Sequence, residues 1–230
     1  GDLLDPMRLP EEGLERIRTG VGSLTFSAQY QQRPTPIEGN LVKREWFQHY
    51  RTLPRSDQPQ IVQSWDVAGS LDGDYSVCTT WAVMDKHAYL IARWRGRLEF
   101  PALQQKAFEL ADHHSPRTIL VEKAGLGLSL YQALREADAV SSVIGIDTNR
   151  DKTTRFEGVT PHIEGGYVHL PEEAPWLAGY LSELLGFPNA RYDDQVDSTS
   201  QFLNWLIGRQ RPAPGIGYCE AIPLGDSFEW

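Results

Sequence analysis

The polar and apolar positions divide the chain into stretches of different period. Up to about residue 60 no period is sustained. "RPTPIEG" and "LPRSDQPQ" break this part with proline, "PEEGLERIR" reads as one short helix, and "LTFSAQYQQRP" sets aromatics among polar residues. It reads as an arm rather than as core. Three runs rich in β-branched and aromatic residues follow: "IVQSWDVAG", "YSVCTTWAVM" and "AYLIARWRGR", separated only by "LDGDY" and "DKH". Connections this short join antiparallel neighbours, so the runs predict a three-stranded meander.

After Arg97 the period lengthens. In "EFPALQQKAFELADHH", Leu103, Ala107, Leu110 and Ala111 recur at helical spacing, and His113 and His114 end the helix. "RTILVEKAG" and "SSVIGID" are short, nearly continuous apolar runs, as expected of strands buried on both faces. Between them "GLSLYQALREAD" sets Leu130 and Leu134 on one helical face. "NRDKTTRFEGVTPHIEGG" is helical in part, "YVHLP" is a short strand and "APWLAGYLSELLG" a helix. The last helix, "YDDQVDSTSQFLNWL", carries an apolar stripe of Val196, Leu203 and Leu206. The order β-β-β-α-β-α-β followed by helices predicts an α/β fold, a mixed sheet with an antiparallel meander and parallel strands, flanked by helices. The expected organisation is an arm at 1–58, one domain at 59–209 and a surface extension at 210–230, where "RPAPGIG" crowds proline and glycine.

Composition narrows the class. The 230 residues are 40% hydrophobic and 23% charged, enough for a proper core and too apolar for global disorder. No apolar run is long enough to span a bilayer and no signal peptide opens the chain, so no membrane partner is expected. Cys78 and Cys219 make no disulfide framework, and a reducing, cytoplasmic setting is the default. A net charge of −9 argues against a surface coated for nucleic acid, while leaving room for a local basic groove.

Carboxylates supply the candidate chemistry. Asp193, Asp194 and Asp197 crowd the start of the last helix. Capping and the helix dipole account for one or two of them. Asp193 and Asp197 are four apart, and like charges at that spacing cost about 0.2–0.5 kcal/mol, which points to a compensating cation. Asp66 interrupts an apolar strand, where a carboxylate is costly unless paired or metal-bound, and Glu122 ends another strand. If those strands are neighbours, the three acidic elements make an oxygen-rich site suited to Mg²⁺ or Mn²⁺. Two such ions about 4 Å apart activate water and stabilise a leaving oxygen in phosphodiester hydrolysis. Asp72 and Asp74, in "LDGDY", fit an ordinary turn and a metal site equally. Gly125 and Gly127 let a turn pass close to the site and open a helix. Three basic groups accompany the acids: Arg93, Arg95 and Arg97 alternate along one strand face, Arg150, Lys152 and Arg155 form a second, and Lys43, Arg44 and Arg51 a third. Beside an acidic metal site they are candidates for holding DNA phosphates.

"SWDVAGSLDGDYSV", "ILVEKAGLG" and "YDDQVDSTSQ" resemble, in order and spacing, the C-terminal nuclease domain of the large terminase subunit of tailed bacteriophages and prophages. "FSAQYQQRPTPIEG" resembles the segment joining that family's ATPase motor to its nuclease, and "DKTTRFEGVTPHIEGGYVHLP" resembles its stretch before the last helix. The likeness spans roughly residues 24–207. It implies an RNase H-like fold, two divalent ions (Mg²⁺ or Mn²⁺), and endonucleolytic cutting of concatemeric viral DNA during packaging in the bacterial host's cytoplasm. Double-stranded DNA is the implied substrate, and the terminase small subunit and the portal protein are the implied partners. Asp66 matches the family's first-strand catalytic Asp, Glu122 its fourth-strand acid and Asp194 its last-helix Asp. Asp193 and Asp197 belong to the same motif, and Asp72 and Asp74 match an accessory acidic position. Many members carry His where Tyr192 stands. The family's GxxxxGK[ST] phosphate loop is absent, so the chain reads as a nuclease half without its motor, and 1–58 as the arm that joined them. Three other readings remain at this point. Another RNase H-like nuclease of the junction-resolvase type shares the acid set. A packaging or docking module would have an inactive one. Sugar-kinase or actin-like ATPases have a similar acidic hairpin but need far more chain.

Overall fold

The computed structural model describes residues 11–29, 41–56, 59–69, 73–137, 141–147 and 150–210. In chain order the elements are α1 (Glu11–Gln29), β1 (Gln48–Tyr50), β2 (Gln60–Asp66), β3 (Ser76–Met84), β4 (His87–Gly96), α2 (Phe100–His114), β5 (Thr118–Glu122), α3 (Leu126–Glu136), β6 (Ser142–Ile146), α4 (Lys152–Glu157), α5 (Thr160–Glu164), β7 (Val168–Pro171), α6 (Leu177–Gly186) and α7 (Asp194–Gln210). The strands form one sheet in the order β1-β7-β4-β3-β2-β5-β6.

The meander forms as its short turns dictate. β2 pairs antiparallel with β3, and β3 with β4 through a turn in which Asp85 takes a positive φ of 55°. The remaining pairs are parallel, with β5 and β6 on the far side of β2, and β7 and β1 beyond β4. The mixed, helix-flanked sheet is the architecture the alternation of periods predicts.

Each face of the sheet buries its own cluster. One gathers Val62, Trp81, Leu90 and Leu120 with Tyr180 and Leu184 of α6 and Val196, Phe202 and Leu203 of α7. Trp81 and Phe202 stack with centroids 4.6 Å apart, which locks the middle of α7 to β3. On the other face Trp65, Cys78, Ile119 and Val121 meet Leu103 and Ala107 of α2 and Leu130 and Leu134 of α3. The period-3.6 stripes read from sequence are these contact lines.

The described residues before β2 depart from the expected arm. Leu41, Val42 and Phe47 are buried in the core, and β1 pairs parallel with β7 at the sheet's edge. Tyr50 donates a hydrogen bond to the Leu90 carbonyl at 2.8 Å and sets its ring edge-on to Tyr89. Three strand residues, "QHY", are too few to show a period, so the pairing comes from the exposed edge of β7 rather than from local pattern. The helix read from "PEEGLERIR" runs on for 19 residues with a break at Gly22 (φ 79°), where the chain passes Pro161 of α5 and Ser23 N–H donates to Glu164 Oε2. Residues 211–230, Cys219 included, and most of "FSAQYQQRPTPIEG" lie outside the described residues.

Candidate active site

Asp66 and Glu122 are the last residues of β2 and β5. These strands are parallel neighbours with Trp65 opposite Val121, so the two acids emerge together at the carboxyl ends of adjacent strands, where open α/β sheets present ligand sites. α3 starts immediately beyond. Gly125 turns the chain at φ 51°, and a Cβ on Gly127 would lie 2.2 Å from the Glu122 carbonyl oxygen. Only glycine lets α3 seat this close to the acid-bearing strand.

The mouth of α7 closes the third side. Asp66, Glu122, Asp194 and Asp197 line one cleft of about 180 Å³ together with Asp74, Tyr75, Lys152 and Arg155. Burial pushes the Asp66 carboxyl well above its ordinary range, and the nearby charges of Asp197, Glu122 and Asp194 push it further, with Lys152 pulling the other way. Asp194 is raised by burial and by Glu183, against hydrogen bonds from Tyr75 N–H (3.1 Å) and Arg95 Nη2 (3.2 Å). Asp197 is raised by burial, against Lys152 and Arg155. The cleft is therefore short of positive charge, and its donors are all hard oxygens. That chemistry fits Mg²⁺ or Mn²⁺. Among the described residues no three of these side chains converge closely enough to grip one ion as they stand. Resident cations hold the α7 acids instead. Lys152 bridges Asp193 and Asp197 at 2.8 Å each, and Arg155 reaches Asp197 at 2.8 Å. The cation that offsets the i,i+4 repulsion is thus a lysine of α4.

Polar bonds also fix α7 against the strand ends. Ser64 Oγ donates to the Ser198 carbonyl and Ser198 Oγ to the Ser64 carbonyl. Thr79 Oγ1 meets Ser198 Oγ at 2.8 Å, and Gln201 Nε2 donates to Ser64 Oγ and the Trp65 carbonyl. At the helix mouth the acceptor for Gln195 N–H is Glu183 of α6, at 2.6 Å. Sequence reasoning missed all of these. The signal was present as the polar run "DSTSQ" on the same helix as the acids, too polar for an ordinary core face.

The predicted basic residues are dispersed. Arg93 donates to the Trp176 carbonyl and lies over that ring, Arg95 pairs with Asp194 and Glu183, and Arg97 donates to the Gly73 carbonyl. Arg93 and Arg95 share one face of β4, as their alternation predicts, whereas Arg97 lies one residue beyond the strand's end, over the Tyr75 ring. Lys152 and Arg155 face the acids, while Arg150 is exposed. In the third group Lys43 precedes and Arg44 opens the short turn Arg44–Trp46, and Arg51 pairs with Glu172. Asp193 sits at the rim with Lys152, Asp74 lines the cleft, and Asp72 lies outside the described residues.

Residues 63–206, more than half of the chain, match the family described as the terminase RNase H-like domain. The chain belongs to that family. Solved terminases share its fold at low identity. The large terminase of a thermophilic bacteriophage, solved in complex with ADP, superposes with a TM-score of 0.67 at 13% identity, over 88% of this chain and 54% of that one. The large terminase nuclease of thermophilic phage G20c with bound magnesium gives 0.57 at 12% identity, over 74% of this chain and 98% of that one. The chain thus spans about half the length of the ADP-bound terminase and nearly all of the G20c nuclease. No curated protein matches it in sequence. Within this terminase domain the family match starts in β2 and ends in α7, so both acid-bearing strands and the helix mouth fall inside it. None of its described helices is long and apolar enough to cross a membrane.

Proposed function

We propose that this terminase domain is a divalent-metal-dependent endonuclease that cuts concatemeric double-stranded viral DNA during genome packaging. The observation that carries the reading is the shared cleft. Asp66 and Glu122 leave adjacent parallel strands, Asp194 and Asp197 face them from α7, and Asp66 is charge-frustrated among them. Such a cluster is costly in isolation and useful with a divalent ion. Related nucleases support the same class, since the G20c enzyme is described with bound magnesium, with cobalt and with zinc.

Asp66, Glu122 and Asp194 are the residues proposed to hold two Mg²⁺ or Mn²⁺ ions, with Asp197, Asp193, Asp74 and Asp72 as accessory acids. When bound, the ions supply an activated water and charge stabilisation at the leaving oxygen. The chain's own contribution is orientation. β2 and β5 fix the two strand acids through backbone register, and α7 fixes the others. Lys152 and Arg155 hold Asp197 by ion pairs until a metal competes for it, and afterwards offer cations to a DNA phosphate. Arg97 and Arg150, both exposed, offer positive charge to the DNA backbone, whereas Arg93 and Arg95 are committed to the Trp176 carbonyl and to Asp194 and Glu183. The motor, the small subunit and the portal belong to the longer packaging machine in the host cytoplasm.

The test is nicking of supercoiled plasmid with Mn²⁺. Wild type relaxes the plasmid and Asp66→Ala does not, while its circular dichroism is unchanged. Equal cutting by the two proteins sinks the assignment.

A further inference from the structure

One buried carboxylate lies behind the cleft rather than in its lining. Glu183 is 6% exposed on α6, a helix that otherwise buries Tyr180, Leu181 and Leu184. A carboxylate there costs several kcal/mol unless it is fully hydrogen-bonded and paired. Gln195 supplies two bonds, from its backbone N–H to Oε1 and from its side-chain Nε2 to Oε2, both 2.6 Å. The first satisfies one of the orphan N–H groups at the start of α7, so the helix is capped by a side chain from another element. The pair comes from Arg95, whose Nη2 lies 3.4 Å from Glu183 Oε2 and 3.2 Å from Asp194 Oδ2. That guanidinium lies 4.0 and 5.0 Å from the ring centroids of Tyr75 and Tyr192, which meet each other edge-on. One fixed cation thus serves two carboxylates.

We propose that Glu183 is a positioning residue for the acids of the metal site. It holds the mouth of α7 in place, and it shares the charge of Arg95 so that Asp194 is not neutralised by that arginine alone. The inference rests on reading the cleft as a divalent-metal site. Without the Glu183 charge, Arg95 has Asp194 as its one carboxylate partner among the described contacts and competes with any divalent ion for it. The geometry differs from ordinary capping, because a cap alone needs an acceptor oxygen and no charge.

Calorimetric titration with MnCl₂, paired with thermal melting in EDTA, separates these roles. Glu183→Gln retains the oxygen that accepts from Gln195 N–H, so it melts within a few degrees of wild type. Its Mn²⁺ dissociation constant rises about 10-fold, the size seen when a ligand's outer partner is removed. Glu183→Asp keeps the charge and restores most of the affinity. Wild-type Mn²⁺ affinity in Glu183→Gln overturns the proposal. So does a Glu183→Asp protein as weak as Glu183→Gln, or a collapse of the metal-free melting temperature in Glu183→Gln, which makes the carboxylate purely structural. Asp66→Asn serves as the control. If it binds Mn²⁺ like wild type, the metal-site reading itself fails; if it loses binding while Glu183→Gln does not, only the role of Glu183 fails.

Discussion

Replacing Asp66 by Asn should make the metal-free protein more stable and the metal-loaded protein less so. In the folded chain the Asp66 carboxyl is held well above its ordinary pKa by burial, then by Asp197, Glu122 and Asp194. A raised carboxyl pKa means that its ionised form is disfavoured on folding. The stability it contributes is present in full below the unfolded value and is lost as pH rises through the folded one. Each unit of such a shift is worth about 1.4 kcal/mol. Asparagine is neutral throughout, so in EDTA the variant's advantage is absent in acid and grows as pH rises toward neutrality. Divalent ions reverse the order. An ion that binds only the folded state at 100 times its dissociation constant adds about 2.7 kcal/mol. For a domain of this size that raises Tm by about 5–10 °C, and Asp66→Asn should forfeit most of the gain. Differential scanning calorimetry of both proteins at pH 5 and pH 8, in EDTA and in MnCl₂, gives the four differences between them. The reasoning is refuted if Asp66→Asn melts below wild type in EDTA at pH 8, or if the two proteins gain equally from Mn²⁺.

Two further outcomes check the frame around the cleft. Gly127→Ala places a methyl 2.2 Å from the Glu122 carbonyl, so α3 must move; chemical denaturation should show a loss of about 1–3 kcal/mol, and plasmid nicking should fall with it. His169, in contact with His87 at 2.9 Å, has its pKa lowered to about 4 by burial and then by the His87 charge. Its contribution is present above the unfolded value near 6.5 and is lost as pH falls toward 4, so His169→Gln should move the acid-unfolding midpoint lower, and an unchanged midpoint would remove His169 from the cause.

The acids of the cleft were legible in the sequence because each breaks a local rule. Asp66 interrupts an apolar strand, Glu122 ends another, and three carboxylates share one helix start. Their meeting followed from topology, since a meander continued by parallel strands sets β2 beside β5. What holds them was not legible in the same way. Lys152 and Asp197 are 45 positions apart in the numbering, and their ion pair exists only because α4 docks on α7. Arg95 and Lys152 read as phosphate-binding candidates for the same reason, because a basic residue in sequence carries no mark of the acid it will face. β1 escaped because three polar and aromatic residues at a sheet edge have no period to detect.

α7 shows why apolar pattern alone underestimates such a site. Its stripe of Val196, Leu203 and Leu206 is real, yet Ser198, Thr199, Ser200 and Gln201 are just as buried. Apolar contacts tolerate sliding by a fraction of an ångström, whereas a reciprocal Ser64–Ser198 pair does not, because each bond lost leaves a buried polar group unpaired at about 1–3 kcal/mol. Ser64 lies two residues before Asp66, and Ser198 one residue after Asp197. The directional bonds therefore sit next to Asp66 and to Asp197, the charge that acts most strongly on it, and the buried polar run of α7 fixes their separation together with the Trp81–Phe202 stack.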